Sequence, residues 1–177
     1  MSLQTTPEKL LPASFRMLAF AFGIAFLVHL LLFATAPMVT VIMQDMALSH
    51  TAFGILFSAA NLSLVIFRIP WGLLGDRIGY RQVFNIALPV AAASAAVRAL
   101  FPNQAVFLVS QFFLGVGLAA VIPCLSLLVK EWSPNRLGLS TGIYVAGFAA
   151  GNATALGLTP YLIGVMHWRD VLLIYAG

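Results

Sequence analysis

One arginine stands inside a long apolar run, where a charged side chain is unusual. Arg68 is the only charged residue of the stretch 51–75, and Asn61 lies two helical turns before it on the same predicted face. A guanidinium is a planar fork of donors that suits planar oxyanions. Arg68 and Asn61 are therefore predicted to line one side of a pocket that binds a small anion. The alternative is that Arg68 extends its side chain to the polar edge of a membrane.

Other polar side chains lie on apolar segments. Tyr144, Phe148 and Asn152 recur every four residues, so Tyr144 and Asn152 are candidate binding residues, with ordinary helix packing as the alternative. His29 is a further candidate because it can carry a proton, although a neutral packing role is favoured. The histidines are isolated and no Asp or Glu lies within an apolar run. We therefore predict no metal ion, no cofactor and no enzymatic activity.

The composition predicts an integral membrane protein with no soluble domain. Of the 177 residues, 62% are hydrophobic and 8% are charged, with a mean hydropathy of +1.02. About a quarter of the residues of a soluble domain are charged, so this chain could not cover a water-exposed surface. The basic residues behind the net charge of +4 are scattered, which excludes a nucleic-acid partner. The single cysteine excludes an intrachain disulfide.

The apolar runs are long enough for five membrane spans and the start of a sixth. A span needs about 20 apolar residues. We predict an N-terminal tail over 1–14 and a transmembrane bundle over 15–177. The predicted spans are 15–43, 51–75, 82–100, 105–130 and 137–165, with a sixth that starts at 171.

Lysine and arginine are unevenly divided between the two ends of these spans. One side has six (Lys9, Arg16, Arg77, Arg81, Lys130 and Arg136) and the other has Arg98 and Arg169. Positive residues concentrate in cytoplasmic connections, so the N-terminus is predicted to be cytoplasmic. Trp132 and Trp168 lie at span ends and are predicted to be interface aromatics.

The connection between the second and third spans carries a recognisable pattern. It reads Gly72-Leu73-Leu74-Gly75-Asp76-Arg77-Ile78-Gly79-Tyr80-Arg81. Gly79 permits a tight turn and Gly72 permits the close approach of another helix. The pattern resembles the cytoplasmic loop signature of the major facilitator superfamily, with Tyr80 where a basic residue is usual.

That resemblance implies an all-α membrane protein, the N-terminal six-helix half of a twelve-helix major facilitator fold, cut within helix 6. It also implies that the missing C-terminal half is a partner, beside the lipid bilayer and a small-molecule substrate. The loop would form a conformational gate between the halves. The gate residues implied are Gly72, Asp76, Arg77, Gly79 and Arg81.

A second resemblance concerns the substrate. Arg68 lies eight residues before Asp76, and this placement resembles that of an arginine in the nitrate and nitrite branch of the superfamily. The run 147–152 resembles a glycine- and asparagine-rich signature of the same branch in part. This implies a secondary active transporter that moves nitrate, nitrite or a cyanate-like anion by alternating access across a bacterial or archaeal inner membrane. Two alternatives stay open: a major facilitator importer or exporter of another organic solute, and a non-transporting membrane receptor on the same fold.

Overall fold

The computed structural model describes residues 12–101 and 103–176, which form helices and no strand. The predicted tail over 1–14 lies mostly outside the described residues, and so does Lys9. The helices are α1 (Pro12–Phe33), α2 (Val39–Asp45), α3 (His50–Ile78), α4 (Tyr80–Leu100), α5 (Gln104–Ala119), α6 (Val121–Trp132), α7 (Leu137–Val165) and α8 (Trp168–Ala176), with a 3-10 turn at Pro134–Arg136.

Four helical segments of the described chain are long and apolar enough to cross a membrane. They are Phe15–Phe33, His50–Ile78, Tyr80–Leu100 and Gln104–Trp132. The fifth predicted span, α7, has 29 residues but carries six glycines and several Ser, Thr and Asn side chains, which lower its hydropathy. Its place in the membrane stays a prediction.

Two of the predicted spans are interrupted. The first contains two helices, because α1 ends at Phe33 and a turn that includes Pro37 leads into α2. The fourth has a one-residue break at Ala120, between α5 and α6. Pro123 explains the second break, because its nitrogen has no hydrogen to donate to the carbonyl of residue 119.

The helices pack as a bundle in which α1 lies along α7, while α5 lies between α3 and α4. Gly147 faces the backbone of Phe22, and Gly151 faces that of Phe26, so closely that a side chain at either glycine would overlap a carbonyl. Both positions advance by four residues along both helices, so α1 and α7 run parallel. Small residues allow this close approach of apolar helices.

One end of the bundle, here called the Asp45 end, is joined by an ion pair. Arg169 Nη2 lies 2.6 Å from Asp45 Oδ2, which also accepts a hydrogen bond of 3.2 Å from Trp168 Nε1. Burial raises the pKa of the Asp45 carboxyl, but the hydrogen bond and charge of Arg169, with help from Trp168, lower it more, so the pKa lies below its usual value. These contacts tie α2 to α8.

Trp168 is placed differently from the prediction of an interface aromatic. Its side chain is 1% exposed, and its ring packs edge-on against Phe107 with centroids 6.3 Å apart. The indole is buried because its one polar atom has found Asp45 as an acceptor.

Candidate functional site

Arg68 and Asn61 lie on one flank of α3. Arg68 is exposed, and among the described residues it makes no hydrogen bond or ion pair. Asn61 is half-buried, and its side-chain nitrogen donates to the carbonyl of Phe57 at 3.2 Å, within its own helix. The neighbouring face of α3 is open as well, since Val65 is 66% and Ile69 72% exposed.

The flank that carries Arg68 continues toward α6. Gly72 follows Arg68 by four residues and therefore lies on the same face. A methyl group on Gly72 would lie 3.7 Å from the side chain of Pro123, at the start of α6. Arg68 is thus one helical turn from the contact of α3 with the start of α6, at the border between the packed face of α3 and its uncovered face.

His29 and Tyr144 are brought together around one phenylalanine. The His29 ring lies 4.4 Å from that of Phe148, and Tyr144 packs edge-on against Phe148 at 5.9 Å. This cluster joins α1 to α7. Phe148, on the face predicted from its spacing, is the ring that both candidates share.

Two polar atoms in this region have no partner among the described residues. They are Nδ1 of His29 and Oδ1 of Asn152, and both atoms are buried. A packing histidine would be expected to have its hydrogen bond satisfied within the protein. An unpaired acceptor or donor near rings is instead suited to a ligand with polar edges.

The candidate binding residues therefore form two groups. His29, Tyr144 and Asn152 lie on the α1–α7 pair, while Asn61 and Arg68 lie on α3. Within the described part of the chain, no hydrogen bond, ion pair or ring contact joins one group to the other.

The loop residues lie at the other end of the bundle, the Gly79 end. Gly79 alone separates α3 from α4. Its φ of 85° and ψ of 149° are values that residues other than glycine rarely adopt. Its N–H donates to the carbonyl of Gly75 at 2.9 Å. Asp76, Arg77 and Arg81 are exposed around this turn.

At the Gly79 end, the hydroxyl of Tyr80 joins the start of α4 to the end of α6. The sequence pattern did not indicate this role. The Tyr80 hydroxyl accepts hydrogen bonds from Trp132 Nε1 at 3.1 Å and from Arg81 Nε at 3.3 Å. The side chain is 7% exposed. Trp132 is therefore half-buried against α4 and not simply an interface residue. A neighbouring cavity of about 650 Å³ is lined by Arg16, Met17, Phe20, Tyr80, Arg81, Phe84, Asn85, Leu128 and Trp132.

Arg98, which the sequence analysis counted among the charges at the span ends, lies inside the bundle. Its side chain is fully buried, at 0% exposure, in the last turn of α4. Nη1 donates to Oε1 of Gln111 at 2.7 Å and Nη2 donates to the carbonyl of Leu31 at 3.1 Å. The guanidinium is inside because α5 and α1 supply acceptors there, which no local pattern in the sequence indicates.

A bundle of long apolar helices joined by a tight, charged turn is typical of a polytopic membrane protein. The family profile described as Major Facilitator Superfamily matches residues 21–177. The chain belongs to that superfamily, and its helices are those of the N-terminal half of the fold, so both predictions are confirmed.

Three relatives show the range of the similarity. The gallate transporter of Pseudomonas putida is 32% identical over 133 residues, covering 75% of this chain and 30% of that protein. The 4-hydroxybenzoate transporter PcaK of Pseudomonas aeruginosa is 28% identical over 169 residues, covering 94% and 38%. The protein named "Probable nitrate transporter NarT" of Staphylococcus carnosus is 29% identical over 151 residues, covering 79% and 36%. The chain spans about a third of the length of these relatives.

Proposed function

We propose that the protein is a secondary active transporter that moves a small planar oxyanion by alternating access, with Arg68 as the residue that binds the charge. The observation that carries the proposal is the unpaired guanidinium of Arg68 on an apolar helix. A charge at such a place normally faces a cavity or a partner. The flank beside Pro123 offers a place where an anion could meet it.

The named substrates of the relatives share one chemical feature. Gallate and 4-hydroxybenzoate carry a carboxylate, and nitrate is itself planar. Each presents two oxygens in a plane, which a guanidinium can bind with two parallel hydrogen bonds. The pair of coplanar oxygens that Arg68 would recognise is therefore common to all three, and nitrate and nitrite are the smallest candidates. A cyanate-like anion is linear with one oxygen, so it would accept from the guanidinium through one end only.

An aromatic acid is a second candidate, because a ring cluster lies on the α1–α7 pair. His29, Tyr144 and Phe148 offer ring faces and edges, and Asn152 offers an unpaired oxygen that could accept from a hydroxyl group. Rings of this kind favour offset or edge contacts with another ring. An inorganic anion would leave these groups without a role.

The loop is proposed as the gate of the cycle, and the C-terminal half of the full-length protein as the other wall of the site. Asp76, Arg77 and Arg81 are exposed at the Gly79 end, where they are accessible to that half. We place this end in the cytoplasm of a bacterial cell, in accordance with the positive residues there.

Uptake by the full-length protein in proteoliposomes tests the proposal. Nitrate, nitrite, cyanate, benzoate and 4-hydroxybenzoate would be compared as substrates and as competitors. Arg68→Lys keeps the charge but loses the planar fork, so it should weaken binding, and Arg68→Ala should weaken it by more than about tenfold. Lys130→Ala is the control, since Lys130 is an exposed cation at the end of α6.

Wild-type affinity in Arg68→Ala for every anion that the protein carries would refute the assignment of Arg68. Binding without uptake would favour the receptor alternative. If the protein prefers the aromatic acids and Phe148→Ala loses that preference, the result would support an aromatic acid as the substrate.

A further inference from the structure

Arg98 is a buried cation without a carboxylate partner. No ion pair among the described residues involves it, and its Nε has no acceptor. Removing a charge from water is costly unless something negative replaces the water. The amide oxygen of Gln111 is neutral, so it does not by itself compensate the positive charge of Arg98.

The second acceptor, the carbonyl of Leu31, belongs to the end of a helix. The last four carbonyls of an α-helix have no partner within it, and α1 ends at Phe33. In the turn that follows, Ala34 donates to Leu30 and Ala36 donates to Phe33. The N–H that would reach Leu31 in a continuing helix belongs to Thr35, and it makes no such bond. Arg98 takes its place at 3.1 Å.

Two helix ends of the same sign meet at this point. Arg98 lies in the last turn of α4, which ends at Leu100, and it contacts the last turn of α1. The C-terminal end of a helix carries about half a negative charge. One guanidinium between two such ends is therefore stabilised by both, and it removes the repulsion between them.

We propose that Arg98 is a positioning residue that caps α1 from α4 and so fixes the direction of α2 relative to the bundle. In transporters with interrupted helices, the C-terminal end of a half-helix is a place where cations are held. Here the cation belongs to the protein. The break between α1 and α2 should therefore keep one angle as long as Arg98 is present, and α2 should move with α4 and α5.

A pair of substitutions separates this role from an ordinary contact between helices. Arg98→Met removes both the bond to Gln111 and the cap on α1. Gln111→Met removes the same bond to Gln111 but leaves the cap. If the cap fixes α2, only Arg98→Met should loosen it.

The measurement is the distance between spin labels on α2 and α5, in a cysteine-free background of the full-length protein. Gln44 and Gln104 are exposed at the Asp45 end and suit labelling. A narrow distribution is expected for the parent protein and for Gln111→Met. The distribution should be at least twice as wide in Arg98→Met. Equal widths in all three proteins, or equal broadening in both variants, would overturn the proposal.

Arg98→Gln provides a second route if Arg98→Met does not fold. Glutamine keeps an amide donor, of shorter reach, but has no charge, so the distribution should still broaden. A narrow distribution in Arg98→Gln would show that the charge is not what holds α2.

Transport kinetics supply a separate readout, because loss of a positioning residue away from the substrate should lower the maximal rate by more than it changes the apparent affinity. The distance measurement does not depend on the identity of the substrate, so it stands even if the anion proposal fails.

Discussion

Gly79 offers a sharp test of the turn between α3 and α4. The substitution Gly79→Ala adds one methyl group, and that methyl would meet no atom within 4 Å. Any loss of stability must therefore come from the backbone, whose φ is 85° and ψ is 149°. Conformations of this kind cost an L-residue about 1–3 kcal/mol. We expect Gly79→Ala to lower the free energy of unfolding by that amount.

Gly142→Ala is the matched control. Gly142 also has nothing within 4 Å, but it lies inside α7 with an ordinary helical backbone. Alanine is favoured over glycine in a helix by about 0.5–1 kcal/mol, so this substitution should stabilise the protein. The same methyl group is thus expected to act with opposite signs at the two positions.

Thermal unfolding of the two purified variants in detergent, followed by the appearance of aggregated or thiol-reactive protein, gives the comparison. Cys124 is buried and reports unfolding when it becomes reactive. The reasoning fails if Gly79→Ala melts at or above the temperature of the parent, because the turn would then tolerate a side chain.

Three further predictions concern charges and topology. Asp76→Asn should change the transport rate far more than the substrate affinity, measured as initial uptake against concentration, if its charge acts on the proposed gate; an affinity change at constant rate would contradict this. The stability that the Asp45–Arg169 pair provides should be present at neutral pH and lost as the pH falls through the lowered pKa of Asp45. The difference in melting temperature between the parent and Asp45→Asn should therefore shrink in strong acid, and a difference independent of pH would refute this. Impermeant thiol reagents should label a cysteine at Arg81 from the cytoplasm only, and one at Gln104 from outside only; the reverse pattern would invert the orientation.

The family and the helices were predictable because they depend on local signals. Apolar runs of about 20 residues give helices that can span a membrane whatever their neighbours do. The turn at Gly79 was also predictable, since a glycine between two long apolar runs is typical of a turn. Pro123 indicates the break at Ala120, but it lies within a continuous apolar run, which by itself predicts one uninterrupted helix.

The candidate site was less predictable because it depends on which helices touch. Spacing placed Tyr144 and Phe148 on one face, but it could not show that His29 of α1 packs there. The burial of Arg98 could not be predicted, because its acceptors, Gln111 and Leu31, lie on other helices. Tyr80 had no sequence signal beyond its difference from the family pattern.

The parallel contact between α1 and α7 has a consequence for synthesis. The last residue of α7, Val165, follows Phe33 by 132 residues (165 minus 33), so it leaves the ribosome long after α1. At roughly 5–20 residues per second, this delay is about 7–26 s. In the meantime α3, α4 and α5 can join through contacts with near neighbours in the chain, while the surface of α1 that Gly147 and Gly151 later cover has no α7 to cover it. A nascent chain halted before α7 would display that surface to the quality-control machinery of the cell.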